Sequence, residues 1–161
     1  MTLYLNALGI ANPLGRGKRE VADNLFAGSR AGLVERPDLI PERAVRVGAV
    51  AGSLPSVPDR LAHFDCRNNR LALAAVEEIE PAVMAAVRRY GAERIAVVMG
   101  TSTSGLAEGE AALQVRLASG AWPPHFRYSQ QELGNLAAFV AAYLGLSGPA
   151  YTIATACSSS G

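Results

Sequence analysis

The residue best suited to covalent chemistry is Cys157, in the run Thr155-Ala156-Cys157-Ser158-Ser159-Ser160-Gly161. An apolar stretch leads straight into it, and the small residues Ala154, Ala156 and Ser158 permit a sharp turn that leaves the thiol uncrowded. If a helix starts here, its unpaired backbone N–H groups and the positive end of its dipole face the sulfur. A thiol in that setting ionises more readily and is the better nucleophile for it. The same N–H groups could hold the oxyanion of a tetrahedral intermediate, a contribution often worth ~3 kcal/mol. The plain alternative is a buried cysteine acting as a small hydrophobe. Chemistry alone leaves the two readings level. A hydrolase elbow, G-x-S-x-G, centred on Ser159 fails, because Cys157 stands where the first glycine is required.

Other reactive types are weaker. Cys66 lies near His63, but two ligands do not make a metal site, so Cys66 reads as an inert thiol at a helix start. No metal and no cofactor is expected. The run Gly100-Thr-Ser-Thr-Ser-Gly105 invites a phosphate-loop reading but lacks the lysine that would reach a phosphate. Its hydroxyls are better used on backbone groups at the start of the following helix. Glu77, Glu78 and Glu80 read as a solvated helix side, and Leu71, Ala74, Ala75 and Ile79 as a core-facing stripe.

The elements that must position Cys157 can be placed from pattern. Residues 3–10 and 45–50 read as strands, with a loop from 32 to 43 marked by Pro37 and Pro41. Helical spacing covers 19–27, stopped by Gly28. The clearest helix spans 67–90, closed by Gly91, with Pro81 expected to kink or divide it. Residues 94–99 form a continuous apolar strand of the kind buried on both faces. Helices follow over 106–118 and 133–144, and the last strand, 151–155, delivers Cys157. Strands alternating with helices predict an α/β fold with a mixed, mainly parallel sheet, in a single domain over 1–161.

Composition agrees with this. Half of the 161 residues are apolar and 18% are charged, so a buried core is expected. The formal net charge is +1 without large basic clusters, which disfavours nucleic acid or an acidic membrane surface as a partner. The run 136–146 is too short to span a bilayer, and no basic, apolar and cleavage-site series opens the chain. Two distant cysteines suggest no disulfide framework and suit a reducing cytoplasm.

The stretch from Asn135 to Gly161 is similar to the active-site block of the β-ketoacyl-acyl carrier protein synthases. There a helix, a Leu144-Gly145-Leu146-Ser147-Gly148-Pro149 turn and a strand lead to cysteine in a Thr155-Ala156-Cys157 context. Weaker likenesses follow in family order. They are Leu8 to Gly15 (opening strand and loop), Asn24 to Gly32 (end of the first helix), Asp65 to Ala75 (first long helix) and Ala96 to Gly105 (strand and following loop).

The resemblance implies the N-terminal half of the thiolase-like fold, two α/β halves stacked as a five-layered αβαβα sandwich. It implies that Cys157 is the nucleophile and a backbone oxyanion donor. The cysteine would accept an acyl group from an acyl carrier protein, in fatty-acid, polyketide or polyene synthesis. Loss of CO₂ from a malonyl-carrier then yields the carbanion that condenses with the acyl-cysteine. The family's two histidines belong to the other half, so His63 and His125 receive no catalytic role and the 161 residues alone are not expected to condense anything. Thr103 matches a position at the acyl-tunnel floor, where threonine weighs against a strictly saturated substrate. Phe126 matches an aromatic that lines the tunnel from across a homodimer interface. A polar loop residue and an ordinary core aromatic are their plain alternatives. Residues 151–155 would be an interface element. The chain reads as a fragment, stopping just after its nucleophile. Competing readings are a thiolase using coenzyme A, which the 144–149 turn argues against; a non-catalytic chain-length partner, which Cys157 argues against; and an inactive fragment.

Overall fold

The computed structural model describes residues 2–159. Its first strands are the short antiparallel pair β1 (Ala11–Asn12) and β2 (Gly15–Arg16), followed by α1 (Lys18–Phe26). A second antiparallel pair joins β3 (Leu33–Arg36) to β4 (Val45–Gly48). Then come a 3₁₀ helix (Asp59–Phe64), α2 (Arg67–Tyr90), β5 (Val97–Gly100), α3 (Leu106–Ser119), a second 3₁₀ turn (Tyr128–Gln131), α4 (Asn135–Leu144) and β6 (Ala150–Ile153). β5 and β6 are parallel, with Val97 opposite Ala150 and Gly100 opposite Ile153. The chain between them carries α3 and α4, as a parallel crossover requires.

The core lies where α2 and α4 meet this parallel pair. Phe139 of α4 has no exposed surface, and Leu73, Val76, Val97, Leu136 and Val140 pack around it. A small-residue helix suits that position, since Ala137 and Ala141 let α4 approach its neighbours closely. Two buried amides tie the helices together: Asn69 Nδ2 donates to Phe64 O and to Asn135 Oδ1, and Asn135 Nδ2 donates to Ser129 O. Gly148 lets the turn before β6 lie on β5, since a Cβ there would stand 2.3 Å from Ile95 O. In this way the 144–149 turn sets the register of the strand that leads to Cys157.

Several expectations are corrected. Residues 3–10 form no strand: Leu3, Tyr4, Leu5 and Leu8 are exposed, and the Ile10 N–H donates to the Glu78 carboxylate instead of a ladder. The predicted loop 32–43 contains β3, whose side chains are all exposed and therefore give no alternation to read. β5 is not buried on both faces. Val98 is 50% exposed, and with Tyr151 and Ile153 it forms an uncovered apolar face opposite the helices. Pro81 does not divide α2, which runs unbroken for 24 residues with Pro81 on its exposed side. Glu78 and Glu80 are structural acceptors, Glu78 of the Ile10 and Lys18 N–H groups and Glu80 of the Tyr143 hydroxyl. Among the described residues, no helix is long and apolar enough to cross a membrane.

Candidate active site

Two loops leave the C-terminal end of the β5–β6 pair, the end where open parallel sheets usually present their chemistry. Residues 101–105 follow β5 and residues 154–159 follow β6. The Thr101 N–H donates to Ile153 O at 3.2 Å, extending the ladder to the point where the loops part. Thr103 sits exposed on the first loop and Cys157 exposed on the second. The fold therefore sends both predicted residues from one sheet edge.

The turn around Cys157 is tightly specified. Ala156 has φ 53°, a left-handed conformation costing an L-residue about 1–2 kcal/mol. Residues Ala156–Ser158 form a single 3₁₀ turn whose two backbone bonds run from Ser158 N to Thr155 O and from Ser159 N to Ala156 O, both 3.2 Å. Neither uses the Cys157 N–H. Side chains close the same turn: the Ser159 hydroxyl accepts from the Thr155 N–H at 2.9 Å and donates to Ala156 O at 2.8 Å. The Ser158 hydroxyl donates to Thr155 O at 2.9 Å. The α-helix expected to start at Cys157 is thus a 3₁₀ turn within the described residues; any continuation through Ser160 and Gly161 lies outside them.

The neighbouring loop is built alike. Ser104 has φ 46°, and its buried hydroxyl donates to Glu132 O at 2.9 Å and Gln130 O at 3.3 Å. Gly105 is pressed against Gln130 O, where a Cβ would come within 2.3 Å, and against the Cys66 side chain. Of the three described non-glycine residues with positive φ, two lie in these loops. Strained backbone of this kind gathers where geometry matters to function. Residue types alone missed Ser104, Ala156 and Ser159; the available signal was the hydroxyl-rich run beside each strand end.

Phe126 is elsewhere. It is half-buried, stacks on Trp122 at 5.2 Å between ring centroids, and lines a cavity of about 720 Å³ with His125, Cys66, Arg70 and Glu108. Neither Cys157 nor Thr103 borders that cavity. Cys66 begins α2 at its N-cap, 2% exposed, and burial pushes its thiol pKa up, which suits an inert thiol. His63 is exposed beside Phe64, and no group of three metal-ligating side chains occurs among the described residues.

The family profile described as "Beta-ketoacyl synthase, N-terminal domain" matches residues 6–161. A comparison with curated protein sequences returned no match. Among solved structures, the chain is similar to a chain in the complex of the ketosynthase ApeO with its chain length factor ApeC from Xenorhabdus doucetiae. The two share 45% identity and superpose with a TM-score of 0.90 over 98% of this chain, which spans 40% of that chain's length. With a parallel pair ending in an exposed cysteine and a family profile covering nearly every residue, the chain belongs to the β-ketoacyl synthase family of condensing enzymes and carries its N-terminal, thiolase-like domain.

Proposed function

We propose that this chain supplies the nucleophile of a 3-ketoacyl synthase that works on acyl carrier protein thioesters. The observation that carries the reading is the exposure of Cys157, the more accessible of two thiols, at the C-terminal end of the parallel pair. Its sulfur attacks the carbonyl of an acyl-carrier thioester. A new C–S bond forms, the carrier's thiolate leaves, and that thiolate takes up the proton given up by Cys157. The Cys157 N–H, which the 3₁₀ turn leaves uncommitted, donates to the oxyanion of the tetrahedral intermediate. Thioester exchanges for thioester, so the step is near balance and reversible. A malonyl-carrier then loses CO₂, its carbanion attacks the acyl-Cys157 carbonyl, and the cysteine is released as the 3-ketoacyl-carrier forms. Proton handling in this second step falls to histidines outside these 161 residues.

Thr103 would wall the acyl path beside Cys157. Phe126, lining a different cavity, would serve the acyl passage of a partner subunit rather than that of its own chain. The uncovered Val98, Tyr151 and Ile153 face suits a second α/β half stacked upon it. Likeness to the complex of ApeO with its chain length factor favours a partner subunit for this chain too, and a polyketide-type over a fatty-acid-type product. A reducing cytoplasm suits two unpaired thiols.

The test is intact-protein mass spectrometry after incubation with an acyl-carrier protein. One acyl adduct should map to the peptide holding Cys157 and vanish in Cys157→Ala. An adduct that persists in Cys157→Ala overturns the reading. The purified 161 residues should make no 3-ketoacyl product; measurable product would refute the need for a second half.

A further inference from the structure

We propose that Ser159 is a positioning residue: its hydroxyl clasps the strained turn that turns the Cys157 thiol outward. The inference rests on Cys157 being the nucleophile, and adds the device that presents it. Ser159 Oγ reaches across the turn to the two backbone groups that bracket Ala156. It accepts from the Thr155 N–H at 2.9 Å and donates to Ala156 O at 2.8 Å. Between those groups Ala156 holds φ 53°, where a side-chain-bearing residue is disfavoured and a glycine is not. An alanine there needs something to hold it, and beside the turn's backbone bonds and the Ser158 hydroxyl on Thr155, the Ser159 hydroxyl is the group that bonds on both sides of Ala156. Without the clasp, Ala156 relaxes toward negative φ, which rotates the following peptide and swings the sulfur away from its presented direction.

A serine hydroxyl also holds the loop after β5, there against a distant segment. Ser104, φ 46°, sends its hydroxyl to Gln130 O and Glu132 O, holding that loop against the segment before α4. Both walls of the sheet edge are therefore fixed by a serine hydroxyl bonded to main-chain carbonyls near a left-handed residue. Mobile surface turns do not need that, whereas a nucleophile that must meet a thioester carbonyl at a fixed angle does.

The proposal separates a positioning role from a merely stabilising one through a rescue. On the intact protein, Ser159→Ala should slow acylation of Cys157 about tenfold, the population ratio an unsupported left-handed alanine implies, with half-saturation by the acyl carrier unchanged. Ser159→Thr keeps the hydroxyl and should stay within about threefold of wild type. Ala156→Gly removes the conformational penalty, so the double variant Ser159→Ala/Ala156→Gly should recover most of the lost rate. Iodoacetamide alkylation of Cys157 should follow the same order, because it reads thiol presentation without an acyl donor. Wild-type rates in Ser159→Ala, or no recovery in the double variant, would overturn the clasp. Wild-type protein that alkylates at Cys157 but never acylates there would overturn the synthase reading instead, and the alkylation series alone would then decide the clasp.

Discussion

Iodoacetamide should modify Cys157 more than a hundredfold faster than Cys66, and the ratio follows from what surrounds each sulfur. Cys157 is exposed on its turn and needs no opening. Cys66 is 2% exposed at the start of α2, beneath Gly105. Reaching it requires α2's first turn to part from the 105–130 segment, breaking two hydrogen bonds. These are Gln130 Nε2 to Asp65 O at 2.7 Å and Arg67 N to the Glu108 carboxylate at 2.6 Å. At about 1 kcal/mol net for the neutral bond and about 2 kcal/mol for the one to a carboxylate, opening costs about 3 kcal/mol, a factor of more than a hundred in the open population. Burial also pushes the Cys66 pKa up, which widens the gap by lowering its thiolate fraction. The assay is a time course of peptide-mapped alkylation at neutral pH, with a urea-unfolded control in which the two thiols should react at similar rates. Ratios near one in the folded protein would refute the reasoning, since they would mean that the 65–67 and 105–130 segments do not protect Cys66.

Three further outcomes follow from the same packing. Gly105→Ala places a Cβ 2.3 Å from Gln130 O and 3.2 Å from the Cys66 Cβ, so it should cost about 1–3 kcal/mol in urea unfolding and speed Cys66 alkylation with it. Phe139→Ala empties the centre of the α2–α4 contact and should cost about 3–5 kcal/mol by the same measurement. The Arg36 guanidinium, donating to Asp38 at 2.6 and 2.7 Å, holds that carboxyl down at about 2, with its own backbone N–H helping. Its folded pKa lies below the unfolded value of about 3.9, so its contribution is complete above that pH and disappears as pH falls toward 2. Thermal unfolding at low salt between pH 2 and 5 should show a shallower pH dependence in Asp38→Asn than in wild type.

What was legible from residue order was whatever local chemistry decides. The 67–90 helix is bounded by Cys66 and by Gly91 at φ 91°, and its apolar stripe follows the helical period. Small apolar residues ending at Gly145 marked α4, and the run into Thr155-Ala156-Cys157 marked the candidate nucleophile and its family. Burial and pairing were not local. Residues 3–10 have strand composition, yet a strand exists only with a ladder partner, and none of the described strands takes that place. β3 has no alternation because both its faces are exposed, so only its pairing with β4 defines it. Pro81 does not divide α2, which runs on to Tyr90 while packing against α4 and β1.

At the site, sequence by itself picked out Cys157 as the candidate thiol, because a cysteine among small and hydroxyl residues after an apolar run is a matter of residue type. Only the tertiary structure decided the rest. It ended β5 and β6 at one edge, sent Thr103 and Cys157 out together, and put Phe126 in another cavity. It also placed Ala156 at φ 53° under the Ser159 hydroxyl. The physical reason is range. Residue types set how reactive a group can be, but its direction depends on backbone angles that are held by hydrogen bonds and packing from segments far away in the chain.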